Sequence, residues 1–129
     1  IIINLLNNAL KFTPAGGSIT LDYEVDEKKQ CMLFSVTDTG TGIPEDKQEL
    51  VFQRFEKLNE FVQGTGLGLA ICKLTIQYMG GDIWIDKNYK NGARFIFSHP
   101  IKKTGINRKN EKKSTDLVFF CFFSLTLLP

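Results

Sequence analysis

The segment on which the fold prediction depends is Asp38-Thr39-Gly40-Thr41-Gly42-Ile43-Pro44, which directly follows an alternating apolar segment, Cys31–Thr37. The alternation predicts a half-buried β-strand, and the glycines and the proline after it predict a tight loop. Upstream, Ser18–Val25 alternates in the same way and is joined to the first segment by the charged turn Asp26–Gln30. The two segments therefore predict an antiparallel hairpin that ends in a glycine loop.

Helical patterns flank this hairpin. Ile1–Phe12 predicts a helix with one polar stripe, and Thr13–Gly17 stops it. A short helix is predicted over Glu45–Phe52, and another over Leu67–Met79. The predicted buried side of that last helix consists of Leu67, Ala70, Ile71, Leu74 and Tyr78.

Two further strands, Asp82–Lys87 and Arg94–Phe97, are joined through the turn signal Asn91-Gly92. The order of elements predicts an α+β fold, a two-layer α/β sandwich in which helices cover one face of a mixed or antiparallel sheet.

The composition indicates one small globular domain. The chain has 129 residues, 43% of them hydrophobic, and a formal charge of +2. The basic excess lies after Ile101, and residues 1–101 carry a net charge of about −2. This slightly acidic body disfavours a nucleic-acid binder. Three scattered cysteines fit neither a zinc site nor a disulfide framework and predict reduced, mostly buried thiols.

We place the domain at residues 1–101 and expect it to be truncated at its N-terminus. Residues 102–129, basic and then apolar, are predicted to lie outside it. The final apolar run is shorter than the roughly 20 residues that span a bilayer. A membrane-surface anchor, a segment that packs on a missing partner and an artefact of the gene's end stay open for this tail.

Glycines stand at two junctions. Gly40 and Gly42 follow a predicted strand, and Gly64, Gly66 and Gly68 precede a predicted helix. Such positions let backbone approach a ligand, and a helix N-terminus offers N–H groups to an anion. The spacing matches neither a P-loop nor a dinucleotide fingerprint. Taken alone, each cluster is weak evidence for a ligand site and is better explained as a turn, since turns use glycine for conformational reasons.

Polar side chains near these junctions suggest a ligand. The helical stripe Asn4, Asn8 and Lys11 would be costly to bury without partners, and an amide oxygen suits Mg²⁺. Asp38 could accept a hydrogen bond from an exocyclic amine, which would select adenine over guanine. A satisfied structural amide at Asn8 and a turn or capping role for Asp38 are the alternatives.

Four blocks in order resemble the motifs of sensor histidine kinases. Residues 4–14 resemble the N box, residues 38–44 the G1 box, Phe52-Gln53-Arg54-Phe55 the F box and residues 64–71 the G2 box. The resemblance covers about residues 1–101. It implies a Bergerat ATP-binding fold with ATP and Mg²⁺ as cofactors.

By the same resemblance, Asn8 would coordinate Mg²⁺, Asn4 and Lys11 would lie near the phosphates, and Asp38 would hold the adenine amine. Arg54 and Lys57 would offer charge to the phosphates, Phe52 and Phe55 would pack, and residues 57–64 would form the ATP lid. The whole implied nucleotide-binding set is Asn4, Asn8, Lys11, Asp38, Gly40, Gly42, Ile43, Arg54, Lys57, Gly64, Thr65, Gly66, Leu67, Gly68 and Leu69.

The chain departs from the family pattern in three places. Ala93 stands where the last glycine box carries Ser or Thr, so one pocket hydroxyl is missing. No phosphoacceptor motif is present, and His99, the single histidine, is predicted to lie at a surface strand end. The strand that normally precedes the N box is absent. No catalytic residue is therefore assigned within this chain.

The resemblance implies the catalytic ATP-binding domain of a protein-histidine kinase in two-component signalling. Its expected partners are the kinase's own dimerisation and phosphoacceptor domain and a response regulator, with no nucleic acid. The expected location is the cytoplasmic part of a sensor kinase, with membrane contact only through regions outside this chain. A related ATPase and a non-catalytic nucleotide-binding or interaction module are the alternatives. The family's ATPases usually carry a carboxylate where this chain has Asn4, which disfavours the first.

Overall fold

The computed structural model describes residues 1–55 and 66–101 and the backbone of residues 125–127. Its helices are α1 (Ile2–Phe12) and α2 (Gly68–Tyr78). Its strands are β1 (Ile19–Asp26), β2 (Cys31–Asp38), β3 (Ile83–Ile85), β4 (Arg94–Pro100) and β5 (Leu125–Leu127).

The strands form one sheet in the order β3-β4-β2-β1-β5, and every described pair is antiparallel. The predicted hairpin is present, with register from Ile19 opposite Asp38 to Asp26 opposite Cys31. This register carries Asp38 to the end of β2, where the glycine loop begins. The central strand β2 also pairs with β4, which places the turn before β4 beside that loop.

Both helices pack on one face of the sheet and bury its apolar side chains. Leu5 and Ala9 of α1 and Cys72 and Ile76 of α2 are at most 2% exposed. They meet the inward-facing residues of the strands, among them Ile19, Val36, Ile83, Ile85, Phe95 and Phe97. The predicted two-layer α+β sandwich is thus confirmed, with an antiparallel sheet.

Helix α1 ends where its sequence predicts. Thr13 adopts φ −98° and ψ 117°, the extended conformation that the following Pro14 imposes on it. The polar stripe also lies where it was predicted, because Asn4 and Asn8 are half-buried and Lys11 is exposed, while Leu5 and Ala9 face the core.

Three local predictions were wrong. The segment predicted as one short helix forms two 3₁₀ turns, Glu45–Lys47 and Leu50–Phe52.

The second wrong prediction concerns the buried side of α2. There Ile71 and Leu74 are both 53% exposed, and Tyr78 is 93% exposed. The helix carries apolar residues on two sides, so its period alone does not select the side that packs on α1 and the second 3₁₀ turn. The buried side contains Ala70, Cys72 and Ile76.

The third error concerns the F box. Phe52 packs against Phe95, with ring centroids 6.1 Å apart and the rings nearly perpendicular. Phe55, which was also expected to pack, is 73% exposed and has a φ of 66°.

Residues 125–127 of the predicted tail pair with β1 from Ile19 to Leu21. The limits placed at residues 1–101 stay a prediction. Within the described ranges, no helix is long and apolar enough to cross a membrane.

Candidate functional site

Asp38 is a buried carboxylate, 3% exposed, held by backbone on two sides. Its Oδ1 accepts hydrogen bonds from the N–H of Gly40 at 2.9 Å and from the N–H of Ala93 at 3.1 Å. Within residues 1–55 and 66–101, no hydrogen bond engages Oδ2. Burial raises the pKa of this carboxyl above its ordinary value, and the two N–H donors oppose that rise.

The loop after Asp38 requires glycine because backbone segments meet there. A Cβ atom at Gly40 would overlap the carbonyl of Phe12, the last residue of α1, which also accepts a hydrogen bond from Thr41 N–H at 3.2 Å. A Cβ atom at Gly92 would overlap the carbonyl of Asp38, and Gly92 adopts a φ of 146°. Gly42 lies against the carbonyl of Gly92. The loop, the end of α1 and the turn before β4 are therefore in contact.

A cavity of about 310 Å³ opens beside this contact. Its walls come from residues 41–45 and Gln48 together with Ile85 and the turn before β4, namely Tyr89, Lys90, Gly92 and Ala93. Of the predicted site residues, the cavity brings together Gly42 and Ile43. Asp38 adjoins it through its bonds to Ala93 and to the hydroxyl of Tyr89.

Ion pairs tie the same two segments together at the surface. Lys90 Nζ lies 2.8 Å from Glu45 Oε1, and Lys87 Nζ lies 4.0 Å from Glu49 Oε1. The Lys90 ammonium holds the pKa of Glu45 below its ordinary value. Because these side chains are exposed, the pairs contribute little stability, but they set charge around the cavity.

A second polar region lies where α1 meets the start of α2. The first hydrogen bond of α2 runs from Ile71 N–H to Leu67 C=O at 2.9 Å. The N–H groups of Gly68, Leu69 and Ala70 therefore have no acceptor in the described part of the chain. No side chain caps this end, so its partial positive charge is open to an anion.

The amide of Asn4 in α1 lies against this helix end. The carbon of the Asn4 amide lies 4.0 Å from the position of a Cβ atom at Gly68, and Asn4 Nδ2 lies 3.6 Å from Cys72 Sγ. The side-chain amide of Asn8, one turn further along α1, makes no hydrogen bond with another described residue. A half-buried amide with no partner in residues 1–55 and 66–101 is suited to a ligand, and its oxygen is a hard donor of the kind that Mg²⁺ takes.

The remaining predicted site residues are distributed as follows. Lys11 and Arg54 are exposed, Gly66 has a φ of 71°, Leu67 precedes the first residue of α2, and Leu69 packs on the core. Lys57, Gly64 and Thr65, and with them the predicted lid, lie outside the described residues.

Sequence reasoning missed the turn before β4. Ala93 had been noted only for its missing hydroxyl, yet its backbone pairs with Asp38 in both directions, since Asp38 N–H also donates to Ala93 C=O at 2.8 Å. Tyr89 and Gln48, which line the cavity, stand outside the recognised motifs. The Asn91-Gly92 turn signal and the resemblance to the last glycine box pointed to this segment, but neither pointed to Tyr89 or Gln48.

The geometry defines an α+β domain with one antiparallel sheet, a buried carboxylate beside a glycine-lined cavity, and a helix N-terminus that is open among the described residues and lies against the Asn4 amide. The sequence model of the family described as "Histidine kinase-, DNA gyrase B-, and HSP90-like ATPase" matches residues 1–103, so this chain belongs to that family.

Similar proteins narrow the class to sensor histidine kinases. The chain is 40% identical over 107 residues to the sensor histidine kinase WalK of Bacillus subtilis, which covers 80% of this chain and 18% of WalK. The nucleotide-free catalytic domain of the histidine kinase ThkA superposes with a TM-score of 0.67 at 39% identity, covering 77% of this chain and 62% of that one. Full-length ShkA in complex with AMPPNP gives a TM-score of 0.65 at 37% identity, covering 77% and 20%.

The predicted resemblance to the ATP-binding domain of histidine kinases is thereby confirmed. The chain spans about a fifth of the length of WalK and corresponds to one domain of such a protein.

Proposed function

We propose that this domain binds Mg·ATP and, within a longer sensor kinase, presents the γ-phosphate to a histidine on a separate phosphoacceptor domain. The observation that carries the proposal is the buried Asp38 carboxylate, whose Oδ1 is held by two backbone donors while Oδ2 has no partner among the described residues. The nucleotide complex of ShkA supports the same ligand class.

The base would enter the cavity beside Asp38. Its amino group would donate to the carboxylate, whereas guanine presents a carbonyl at the same ring position and would face an acceptor with an acceptor. A buried acceptor left facing another acceptor is costly, so the site favours adenine. Gly40, Gly42 and Ile43 would shape the loop around the base.

The phosphates would lie at the N-terminus of α2. There the N–H groups of Gly68 and Leu69 would donate to phosphate oxygens, with Gly66 and Leu67 shaping the approach. Asn4 and Lys11 of α1, together with Arg54, would add polar and positive groups. For the predicted residues Lys57, Gly64 and Thr65, the same role stays a prediction from sequence.

Asn8 would hold the metal, because its amide oxygen is a suitable ligand and has no other described partner. Mg²⁺ usually takes one or two protein oxygens and completes its shell with water and phosphate, so a single amide fits it. Bound there, the ion would neutralise phosphate charge. Phosphoryl transfer depends mainly on positioning and charge neutralisation, which is what these groups supply.

The acceptor must come from elsewhere. His99 is exposed on β4, opposite Met32 in the ladder, as predicted for a surface strand-end residue. We therefore propose the phosphoacceptor domain of the same kinase and a response regulator as partners, in the cytoplasmic part of the longer protein.

Calorimetry of the full chain with ATP and Mg²⁺ tests the proposal. We expect ATP to bind, GTP to bind at least tenfold more weakly, and omission of Mg²⁺ to weaken ATP binding. Asp38→Asn should lower ATP affinity by about ten- to a hundredfold, since hydrogen bonds to charged groups contribute about 1.5–3 kcal/mol. Asn8→Ala should weaken ATP binding only when Mg²⁺ is present.

Two variants serve as controls. Asp46→Asn removes an exposed carboxylate, and Asn7→Ala removes the exposed amide next to Asn8. Both should bind Mg·ATP as the wild type does. A folded wild type that binds no ATP would contradict the proposal and favour a non-catalytic interaction module. ATP hydrolysis without an added acceptor domain would favour a related ATPase.

A further inference from the structure

Tyr89 connects the cavity to Asp38 and belongs to none of the recognised motifs. Its side chain lines the cavity, and its hydroxyl donates a hydrogen bond to the backbone carbonyl of Asp38 at 3.0 Å. The two residues are 51 positions apart in sequence. This bond therefore joins two separate segments at the point where the carboxylate is held.

The turn that carries Tyr89 is fixed by its own hydrogen bonds. The N–H of Tyr89 donates to the carbonyl of Asp86 at 3.3 Å, and the N–H of Asn88 donates to Asp86 Oδ1 at 3.0 Å. The next residue, Lys90, is paired with Glu45 across the cavity. The tyrosine is thus presented from a braced turn.

Three hydrogen bonds from this turn hold Asp38. Two come from Ala93 and join its backbone to the N–H and the Oδ1 of Asp38, and the third comes from the Tyr89 hydroxyl. Only the third is donated by a side chain of the turn; the other two use the backbone of Ala93. Without it, the carbonyl of a buried residue loses a donor, and Asp38 is held on fewer sides.

We propose that Tyr89 is a positioning residue for base recognition: its hydroxyl fixes Asp38 for the amino group of a 6-aminopurine nucleotide, and its ring forms a flat wall of the cavity. The inference rests on the proposed binding of Mg·ATP. It goes further by assigning selectivity for the amino group to a residue that acts through Asp38.

The test compares two nucleotides on two tyrosine variants of the full chain. Affinities for ATP and for purine riboside 5′-triphosphate, which lacks the 6-amino group, are measured by calorimetry with Mg²⁺. Tyr89→Phe keeps the ring and removes the hydroxyl, and we expect ATP affinity to fall about three- to tenfold. Affinity for the analogue should stay unchanged, because that ligand has no amino group for Asp38 to hold. Tyr89→Leu should weaken both nucleotides, because the wall itself is lost.

Tyr78→Phe is the matched control, since Tyr78 is 93% exposed on α2. It should leave both affinities unchanged. Equal losses of the two nucleotides in Tyr89→Phe, loss of all binding in that variant, or no loss at all would each overturn the positioning role.

The wild type separates this inference from the proposed function. If it binds no ATP, both fail. If it binds ATP and the analogue equally well, nucleotide binding stands, and the role of Tyr89 through Asp38 is overturned.

Discussion

The site has two polar regions, one around Asp38 and one at the N-terminus of α2, and they differ in how far their hydrogen bonds are already made. Around Asp38, two backbone N–H groups donate to its Oδ1, and the Tyr89 hydroxyl donates to its backbone carbonyl. Around α2, the N–H groups of its first turn and the amide of Asn8 have no described partners. Helix α1 links the two, since its last residue touches the glycine loop and Asn4 faces α2.

This difference suggests a division of labour. The side of the site that would read the base is organised before any ligand arrives, so little rearrangement is needed for selectivity. The side that would take phosphates leaves its donors open, and a ligand would satisfy them. Changes at the first side should therefore lower stability as well as binding, and changes at the second should weaken binding without lowering stability.

The largest effect is expected from Gly92→Ala. The added methyl group would overlap the carbonyl of Asp38, and the φ of 146° is unfavourable for any side chain. Overpacking and backbone strain each cost about 1–3 kcal/mol, so we expect the free energy of unfolding to fall by about 3 kcal/mol or more, with loss of ATP binding. Urea unfolding followed by circular dichroism measures the first quantity.

Gly16→Ala is the control for backbone conformation. Its φ is 86°, but no atom lies within 4 Å of the added methyl group. It should cost only about 1 kcal/mol. Equal losses in the two variants would show that the turn before β4 yields easily and that the base side is not rigidly organised.

The sequence predicted the hairpin, the end of α1 and the glycine loop after Asp38 correctly, because these features depend on local patterns. The hairpin follows from alternation, the end of α1 follows from Pro14, and the glycine loop follows from its own residues. Even the register that puts Asp38 at the strand end follows from which residues must face the core.

The sequence did not predict the buried side of α2 or the position of Tyr89, because both depend on packing between distant segments. The buried side of α2 is set by contacts with α1 and the second 3₁₀ turn, and Lys73 Nζ lies 5.3 Å from the centre of the Phe52 ring. The role of Tyr89 arises only because β4 pairs with β2 and brings its turn to Asp38. No pattern within one segment carries that information.

A smaller effect is expected from pH. The pKa of Asp38 is raised in the folded chain above its ordinary value of 3.8 because the carboxyl is buried. Between these two pKa values the folded state holds more proton than the unfolded state, so the contribution of Asp38 to stability falls as pH rises through that window. Asp38→Asn removes this titration. Its unfolding free energy relative to wild type should therefore rise as pH increases from the ordinary value of 3.8 upward, as measured by urea unfolding.

Asp46→Asn again serves as the control, because it removes an exposed carboxylate outside the site. A difference between Asp38→Asn and wild type that stays constant over this range would contradict the raised pKa. It would also mean that the two N–H donors balance the effect of burial on the pKa.

The smallest effect is expected from Asn8→Ala on stability, and it has the opposite sign. The side chain of Asn8 makes no hydrogen bond among the described residues, and alanine is the better helix former by about 0.5 kcal/mol. The variant without ligand should therefore be slightly more stable than wild type. Asn7→Ala changes the same residue type at the neighbouring exposed position and should gain a similar amount. Only Asn8→Ala should also lose Mg²⁺-dependent ATP affinity. Thermal unfolding with and without Mg·ATP measures both quantities. A loss of stability in Asn8→Ala without ligand would mean that this amide already supports the fold, and the contrast between the two sides of the site would disappear.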